Sequence, residues 1–124
     1  MNRRKFLNQS LITSITAINS RRIFGANDRI SLGIVGCGTR NLLKEVLQFS
    51  QDTNVEVTAV CDTWRQQREK AVAMVKEASG NEPLQFVRYQ DLLAQKGVDA
   101  VVIGTPDHQH CRMLTAATRE GKDA

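Results

Sequence analysis

Several patterns are missing from this sequence, and each absence excludes a class of protein. No run of about 18 consecutive apolar residues occurs, so a conventional transmembrane helix is excluded. Only two prolines and 5% aromatic residues exclude a proline-rich or prion-like chain. The three cysteines are too few, and odd in number, for a disulfide scaffold, and their spacing matches no zinc motif. The 124 residues are 41% hydrophobic and 24% charged, which suits one globular domain.

The net charge of +4 is unevenly distributed along the chain. Residues 1–30 hold six basic groups and one acidic group, whereas residues 31–124 hold 11 basic and 12 acidic groups. A nucleic-acid-binding domain needs a clustered basic face on its folded part. We therefore expect no nucleic-acid partner, because the excess positive charge belongs to the N-terminal segment.

Residues 1–29 are predicted to be an export signal followed by a linker. Residues 3–7 read Arg-Arg-Lys-Phe-Leu, and residues 11–18 form an apolar stretch diluted by hydroxyl side chains. The arginine pair followed by Phe-Leu resembles the twin-arginine export signal, although Asn2 and Asn8 replace two of its usual residues. We expect a protein exported by that route, to the periplasm or beyond, without a stable membrane span. The alternative is an amphipathic N-terminal arm.

From residue 30 onward, β-rich segments alternate with segments of helical periodicity. The pattern predicts strands at 31–35, 55–60, 86–87 and 100–103, and helices at 41–49, 65–78, 91–94 and 107–120. In the last helix, Met113, Leu114, Ala116 and Ala117 are predicted to face inward. Such alternation is typical of α/β proteins built from βαβ units. Right-handed crossovers then place the strands in the order 3-2-1-4, half of a Rossmann-type doubly wound parallel sheet.

The first βα turn has the features of a dinucleotide-binding turn. Gly36 permits a tight turn after the first strand, and Gly38 lets the backbone approach a pyrophosphate at the helix N-terminus. Asn41 occupies the place of the third glycine of this fingerprint, whose role is close packing of the helix on the strand. The substitution puts the tightness of that packing in doubt more than the binding of phosphate.

An acidic residue follows at the spacing that dinucleotide binding needs. Asp62 lies 24 residues beyond Gly38, at the end of the second predicted strand. A carboxylate there bonds the adenosine ribose hydroxyls and favours NAD, because it repels the 2′-phosphate of NADP. Arg65 and Arg68 follow closely, which leaves NADP possible. The alternative is that Asp62 only caps the next helix.

The segment after the fourth strand carries the most specific resemblance. Residues 104–110 read Gly-Thr-Pro-Asp-His-Gln-His. Together with Gly36-Cys37-Gly38 and Val60-Cys61-Asp62, this segment resembles the Gfo/Idh/MocA family of NAD(P)-dependent oxidoreductases, in order and spacing over residues 31–124. The resemblance implies that the following residues contact the cofactor: Thr39, Arg40, Asp62, Asp107, His108, Gln109 and His110, with Thr105 and Pro106 beside the nicotinamide half.

His108 and His110 allow two other interpretations. The first is a metal site, which is not expected, because residues two apart at a helix start do not share a face and no third ligand presents itself. The second is a helix-capping turn with exposed imidazoles. Cys37 and Cys61 lie at strand ends near the proposed site. We interpret them as small buried thiols, with a redox pair as the minor alternative.

The resemblance further implies that the chain is the N-terminal part of a longer enzyme. Family members continue into a fifth strand, a Glu-Lys-Pro motif with the catalytic lysine, and a second α/β domain. Residues 121–124 precede these features, so no catalytic residue is assigned. We expect the chain alone to be inactive, with the sheet edge beside the fourth strand unpaired.

The whole protein is expected to transfer a hydride between NAD(P) and a small sugar or polyol, with a lysine moving the proton. We also expect it to form a homo-oligomer. Two alternatives remain. One is an exported NAD-dependent glycosidase of the same superfamily, which oxidises, eliminates, hydrates and reduces on one bound cofactor. The other is a non-catalytic dinucleotide-binding module.

Overall fold

The computed structural model describes residues 29–38 and 41–124. Residues 1–28 of the predicted export signal and linker, and the predicted cofactor contacts of Thr39 and Arg40, therefore lie outside the described residues. The elements alternate in the order β1 (Ile30–Val35), α1 (Leu42–Ser50), β2 (Val55–Cys61), α2 (Arg65–Ser79), β3 (Leu84–Phe86), α3 (Tyr89–Leu93), β4 (Ala100–Ile103) and α4 (Asp107–Arg119). No helix within the described ranges has the length and apolarity needed to cross a membrane.

All four strands are parallel and form one sheet in the order β3-β2-β1-β4, which confirms the predicted fold class. The predicted bounds differ from the observed ones by one or two residues at most. The largest difference is at β3, predicted at 86–87. It begins at Leu84, because pairing with β2 runs from Ala59 opposite Leu84 to Cys61 opposite Phe86. Similarly, α3 begins at Tyr89, two residues before the predicted start.

The helices cover both faces of the sheet, two on each face. On one face, the buried residues of α1 and α2 are Leu43, Leu47, Ala71, Val72 and Val75. On the other, those of α3 and α4 are Leu92, Leu93, Met113 and Ala117. The prediction for Leu114 is wrong, since that side chain is 48% exposed. Met113 and Ala117 are four residues apart on the inner face, and Leu114 is turned about 100° away from Met113.

Asn41 does not loosen the packing of α1. It adopts a left-handed conformation with φ 52°, which asparagine tolerates better than most residues, and its side chain is exposed. Leu43 and Leu47 of the same helix are 5% and 7% exposed. The close approach that a third glycine would permit is therefore not needed for this helix to bury its apolar face.

The edge of β4 is partly paired, which corrects the expectation of a free edge. Asp123 forms a parallel bridge with Ala100, and the Val101 N–H donates to the Asp123 carbonyl at 2.8 Å. Just before this bridge, the ammonium group of Lys122 donates to the carbonyls of Gln95 and Val98 at 2.7 and 2.6 Å. These bonds hold the segment after α4 against the loop that leads into β4.

Candidate functional site

The C-terminal ends of the four strands open into a cleft of about 790 Å³. The loops after each strand and the first turns of α4 form its walls. The lining residues used below are Gly36, Gly38, Asp62, Trp64, Val87, Arg88, Tyr89, Gly104, Thr105, Pro106, Gln109, Arg112 and Met113. Open parallel α/β sheets bind ligands at this edge, where the strand order reverses, and here the reversal lies between β1 and β4.

Gly36 and Gly104 bring the turns after β1 and β4 into direct backbone contact. Gly36 has φ 88°, and a Cβ there would lie 2.8 Å from the carbonyl carbon of Gly104. A Cβ on Gly104 would lie 2.9 Å from the carbonyl oxygen of Gly36. Neither position has room for a side chain. The sequence predicted Gly104 only as part of a turn, because its partner 68 residues earlier is visible only once the strand order is known.

The described residues give no steric reason for a glycine at position 38. Among the described residues, no heavy atom lies within 4 Å of a Cβ built at this position. Its φ also lies outside the left-handed region that favours glycine. Gly38 nevertheless lines the cleft just before α1. A backbone left bare at a helix N-terminus suits a ligand phosphate that must approach the main chain closely.

The Asp62 carboxylate connects the glycine turn to the start of α2. One oxygen accepts a hydrogen bond from the Cys37 N–H at 2.9 Å, and the other accepts one from the Trp64 N–H at 2.8 Å. A carboxylate has about four lone-pair sites, so two remain for ribose hydroxyls. The bond to Trp64 ends at the residue just before α2, and that helix has no side-chain cap hydrogen bond, so Asp62 does not cap it as the alternative expected. The bond to Cys37 connects the turn after β1 to the turn after β2.

Arg65 and Arg68, the two arginines that left NADP binding possible, have different hydrogen-bond partners. Arg65 pairs with Glu69 at 2.7 Å, along the exposed face of α2. Arg68 donates to the main-chain carbonyl of Asp62 at 2.9 Å. Of the two, Arg68 is therefore the one bonded to the residue predicted to hold the ribose, although it does not line the cleft.

The turn between β4 and α4 is fixed by its own side chains. His110 Nε2 donates to the Thr105 carbonyl at 2.6 Å, and the Thr105 hydroxyl donates to the Met113 sulfur at 3.2 Å. Thr105, Pro106 and Gln109 line the cleft. Asp107, His108 and His110 do not appear among its lining residues, so the structure separates them from the other predicted contacts. His110 thus shapes the wall from behind, while His108 is exposed.

Comparison with known proteins decides the family. The sequence profile described as "Oxidoreductase family, NAD-binding Rossmann fold", that of Gfo/Idh/MocA, matches residues 30–124. The chain belongs to the Gfo/Idh/MocA oxidoreductase family. The predicted cofactor, NAD, is confirmed at the level of this family. The individual contacts with the cofactor stay predictions.

This Gfo/Idh/MocA chain is similar to one curated protein and to two solved structures, the second of which shares the fold alone. A glycosyl hydrolase family 109 protein of Stenotrophomonas maltophilia (strain K279a) is 32% identical over 130 residues, covering 98% of this chain and 28% of the relative. An oxidoreductase of Thermotoga maritima superposes with a TM-score of 0.65 at 33% identity, covering 76% of this chain and 28% of that one. Scyllo-inositol dehydrogenase of Lactobacillus casei, crystallised with NAD(H) and scyllo-inositol, superposes with a TM-score of 0.64 at 20% identity, covering 76% and 26%. The chain therefore spans about a quarter of the length of these relatives.

Several residues of the Gfo/Idh/MocA cleft were not identified from the sequence. Trp64, Arg88, Tyr89 and Arg112 all line it. The first three follow β2 and β3 and carry no motif, so their only signal was their position just after a predicted strand. Arg112 lies one turn beyond Gln109 on α4 and was counted as part of a helix. Among the described residues, no group of three or more histidine, cysteine or acidic side chains is placed to hold a metal ion.

The two cysteines near the glycine turn are poor nucleophiles. Burial, with smaller contributions from the Asp62 carboxylate and the neighbouring thiol, raises the pKa of Cys37 to about 12. Burial and the same carboxylate raise the pKa of Cys61 to about 11. The Cys37 thiol lies 3.6 Å from the Cys61 carbonyl as a weak donor. Protonated thiols of this kind react slowly, which favours packing over the redox alternative.

Alkaline pH is expected to destabilise the fold through these two thiols. Below the ordinary thiol pKa of 9.0, both states of the chain hold the protons, and the free energy of unfolding is unaffected. Above it the unfolded chain loses the protons first, so stability falls as the pH rises from 9.0 towards 12.

Denaturant unfolding across this pH range tests the effect. The free energy of unfolding should decline less steeply with pH for Cys37→Ala than for wild type. Cys111→Ala, which changes an exposed thiol, is the control and should follow wild type. Identical slopes for all three proteins would contradict this account.

Proposed function

We propose that the protein carrying this chain is an exported enzyme that uses NAD to transfer a hydride to or from a carbon of a sugar or polyol. One observation carries the proposal. Gly38, for which the described residues give no steric reason, lines a cleft beside the Asp62 carboxylate at the switch point of the sheet. A phosphate-bearing ligand with a ribose explains both groups together.

The residues present fit a dinucleotide along the length of the cleft. The glycine turn and the N-terminus of α1 offer a positive dipole end to the pyrophosphate. The spare lone pairs of Asp62 accept the ribose hydroxyls. On the far side, the wall formed by Thr105 and Pro106 is held in place through His110. NAD supplies the hydride acceptor or donor at C4 of its nicotinamide ring.

The carbohydrate substrate class is supported by the names of the relatives. One is named a glycosyl hydrolase family 109 protein, and a structural neighbour was crystallised with a cyclic polyol, scyllo-inositol. Glycosides and cyclic polyols both carry secondary hydroxyl groups on carbons that a nicotinamide could oxidise. A proton donor or acceptor must then lie within about 2.6–3.2 Å of the reacting oxygen. We assign that role to none of the cleft residues described here.

A second candidate is an NAD-dependent glycosidase, in which NAD is reduced and reoxidised within one turnover. The relative from Stenotrophomonas maltophilia favours it, because that protein is named as a glycosyl hydrolase and is 32% identical to nearly the whole chain. The two candidates share the dinucleotide cleft and differ in the net reaction. They therefore differ in whether reduced NAD accumulates.

Two assays of the purified full-length protein separate the candidates. In the first, sugars and polyols are supplied with NAD, and the absorbance of NADH is followed. In the second, chromogenic glycosides are supplied without added NAD, and release of the chromophore is followed. Accumulating NADH indicates a dehydrogenase, and glycoside cleavage without net NADH indicates the glycosidase. A protein that binds NAD but gives neither signal is the non-catalytic module, and one that binds no NAD contradicts the proposal.

Export by the twin-arginine route is the part of this proposal that rests on residues 1–29. It is supported by the charge contrast between residues 1–30 and the rest, and by the arginine pair at Arg3 and Arg4. Changing both to lysine keeps the charge but removes the pair that the export receptor reads. We expect the variant to stay in the cytoplasmic fraction after cell fractionation. Changing Arg21 and Arg22 to lysine is the matched control and should leave export intact. Unchanged export of the first variant would show that the pair is incidental.

A further inference from the structure

Two exposed apolar side chains stand apart from the others because they line the cleft. The large hydrophobic residues on the surface of the described chain are Ile30, Phe49, Trp64, Leu84, Val87 and Leu114. Of these, only Trp64 and Val87 belong to the cleft wall, and they are 57% and 51% exposed. A large aromatic side chain left open inside a ligand cleft marks a surface that a ligand covers.

Trp64 and Val87 lie at the same end of the cleft. β2 and β3 are neighbours, with Cys61 opposite Phe86, and the Asp62 N–H donates to the Phe86 carbonyl at 3.2 Å. The loops that carry Trp64 and Val87 therefore leave the sheet side by side. Together they form an apolar patch next to the Asp62 carboxylate.

The main chain of Trp64 is held on both sides. Its N–H donates to the Asp62 carboxylate at 2.8 Å, and its carbonyl accepts from the Arg68 N–H at 3.1 Å. Asp62, which would hold the ribose hydroxyls, therefore also fixes the backbone of Trp64, whose indole is exposed. The base of a nucleotide is bonded directly to that ribose, so it must lie within a few ångströms of this patch.

We propose that Trp64 is the residue against which the adenine base of the dinucleotide stacks, with Val87 as the apolar contact beside it. This inference rests on the proposed NAD site and adds the residue that selects its adenosine end. Stacking suits an indole, because every purine has a flat π face and the indole presents a large apolar surface. By alanine substitution, one base–aromatic contact corresponds to an affinity change of about five- to 150-fold.

Calorimetric titration of the full-length protein, freed of bound nucleotide, tests the assignment. The probes are NAD, ADP-ribose, which keeps the adenosine end, and nicotinamide mononucleotide, which lacks it. Trp64→Ala should weaken NAD and ADP-ribose by the same factor, about five- to 150-fold, and leave nicotinamide mononucleotide unchanged. Trp64→Phe should retain most of the affinity. Leu114→Ala, an exposed apolar residue outside the cleft, is the control and should bind all three like wild type.

Three outcomes overturn the inference while leaving the NAD site intact. These are unchanged affinity of Trp64→Ala for NAD, an equal loss for nicotinamide mononucleotide, and a loss in Trp64→Phe as large as that in Trp64→Ala. Failure of wild type to bind NAD would instead reject the proposed function itself. If Trp64→Ala does not fold, Trp64→Leu replaces it, since leucine stays apolar but has no ring. Acrylamide quenching of tryptophan fluorescence adds a measurement on wild type. The part of the fluorescence that is absent from Trp64→Phe comes from Trp64. ADP-ribose should protect that part from quenching, and nicotinamide mononucleotide should not.

Discussion

Replacing Asp62 with alanine is expected to weaken NAD binding by about 1–3 kcal/mol, the cost of leaving buried hydrogen-bond partners unpaired. The carboxylate has more than one task. It is predicted to accept the ribose hydroxyls, and it already accepts the Cys37 and Trp64 amides at 2.9 and 2.8 Å. The variant loses the ribose contact and the bond that holds the glycine turn in place. Calorimetric titration with NAD measures the combined effect.

The same variant tests whether Asp62 selects between cofactors. NADP should lose less affinity than NAD, because alanine also removes the repulsion between the carboxylate and the 2′-phosphate. Asp62→Asn is the informative companion, since its side-chain oxygen still accepts one amide while the negative charge is gone. We expect it to bind NADP better relative to NAD than wild type does. An equal loss for NAD and NADP in Asp62→Ala would show that the residue acts on the turn alone.

Gly36→Ala and Gly38→Ala are expected to have opposite consequences. At Gly36 the added methyl meets the Gly104 backbone at 2.8 Å in a left-handed conformation, so the fold should lose about 1–3 kcal/mol of stability. At Gly38 the methyl meets no described atom within 4 Å, and alanine should gain about 0.4–1 kcal/mol by restricting the unfolded chain. NAD affinity of Gly38→Ala should nevertheless fall by about 1–3 kcal/mol, since the methyl crowds the bound pyrophosphate.

Thermal unfolding and NAD titration of the two variants separate these effects. A Gly38→Ala protein that melts no lower than wild type and binds NAD weakly would show that glycine is needed there for the ligand. If Gly38→Ala binds NAD as tightly as wild type, no ligand approaches this part of the backbone. The proposed function would then lose the observation that carries it.

The sheet order and the glycine turn could be predicted because their signals are local. Alternating segments of period 2 and period 3.6 specify βαβ units, and the handedness of crossovers then fixes the order of the strands. Gly36 and Asp62 were found by their spacing after strand ends. The inward face of α4 was less predictable. Leu114 follows Met113 directly, yet Leu114 lies on the exposed side of the helix and Met113 on the buried side.

The remaining features depend on contacts between distant segments. The restriction on Gly104 comes from Gly36, and the place of Trp64 in the cleft becomes visible only when β2 and β3 lie side by side. The role of His110 depends on a main-chain carbonyl five residues earlier, and no side-chain pattern records a backbone acceptor. Such relations follow from the fold and are not written in any motif.

The parallel bridge between Asp123 and Ala100 sets the direction of the backbone at the C-terminal end of the described residues. A parallel partner travels in the same direction as β4, and β4 points towards the cleft. At about 3.3 Å per residue, three further residues along this path reach the level of Ile103. Any segment that follows Ala124 on that course is delivered to the cleft rim on the side of Thr105.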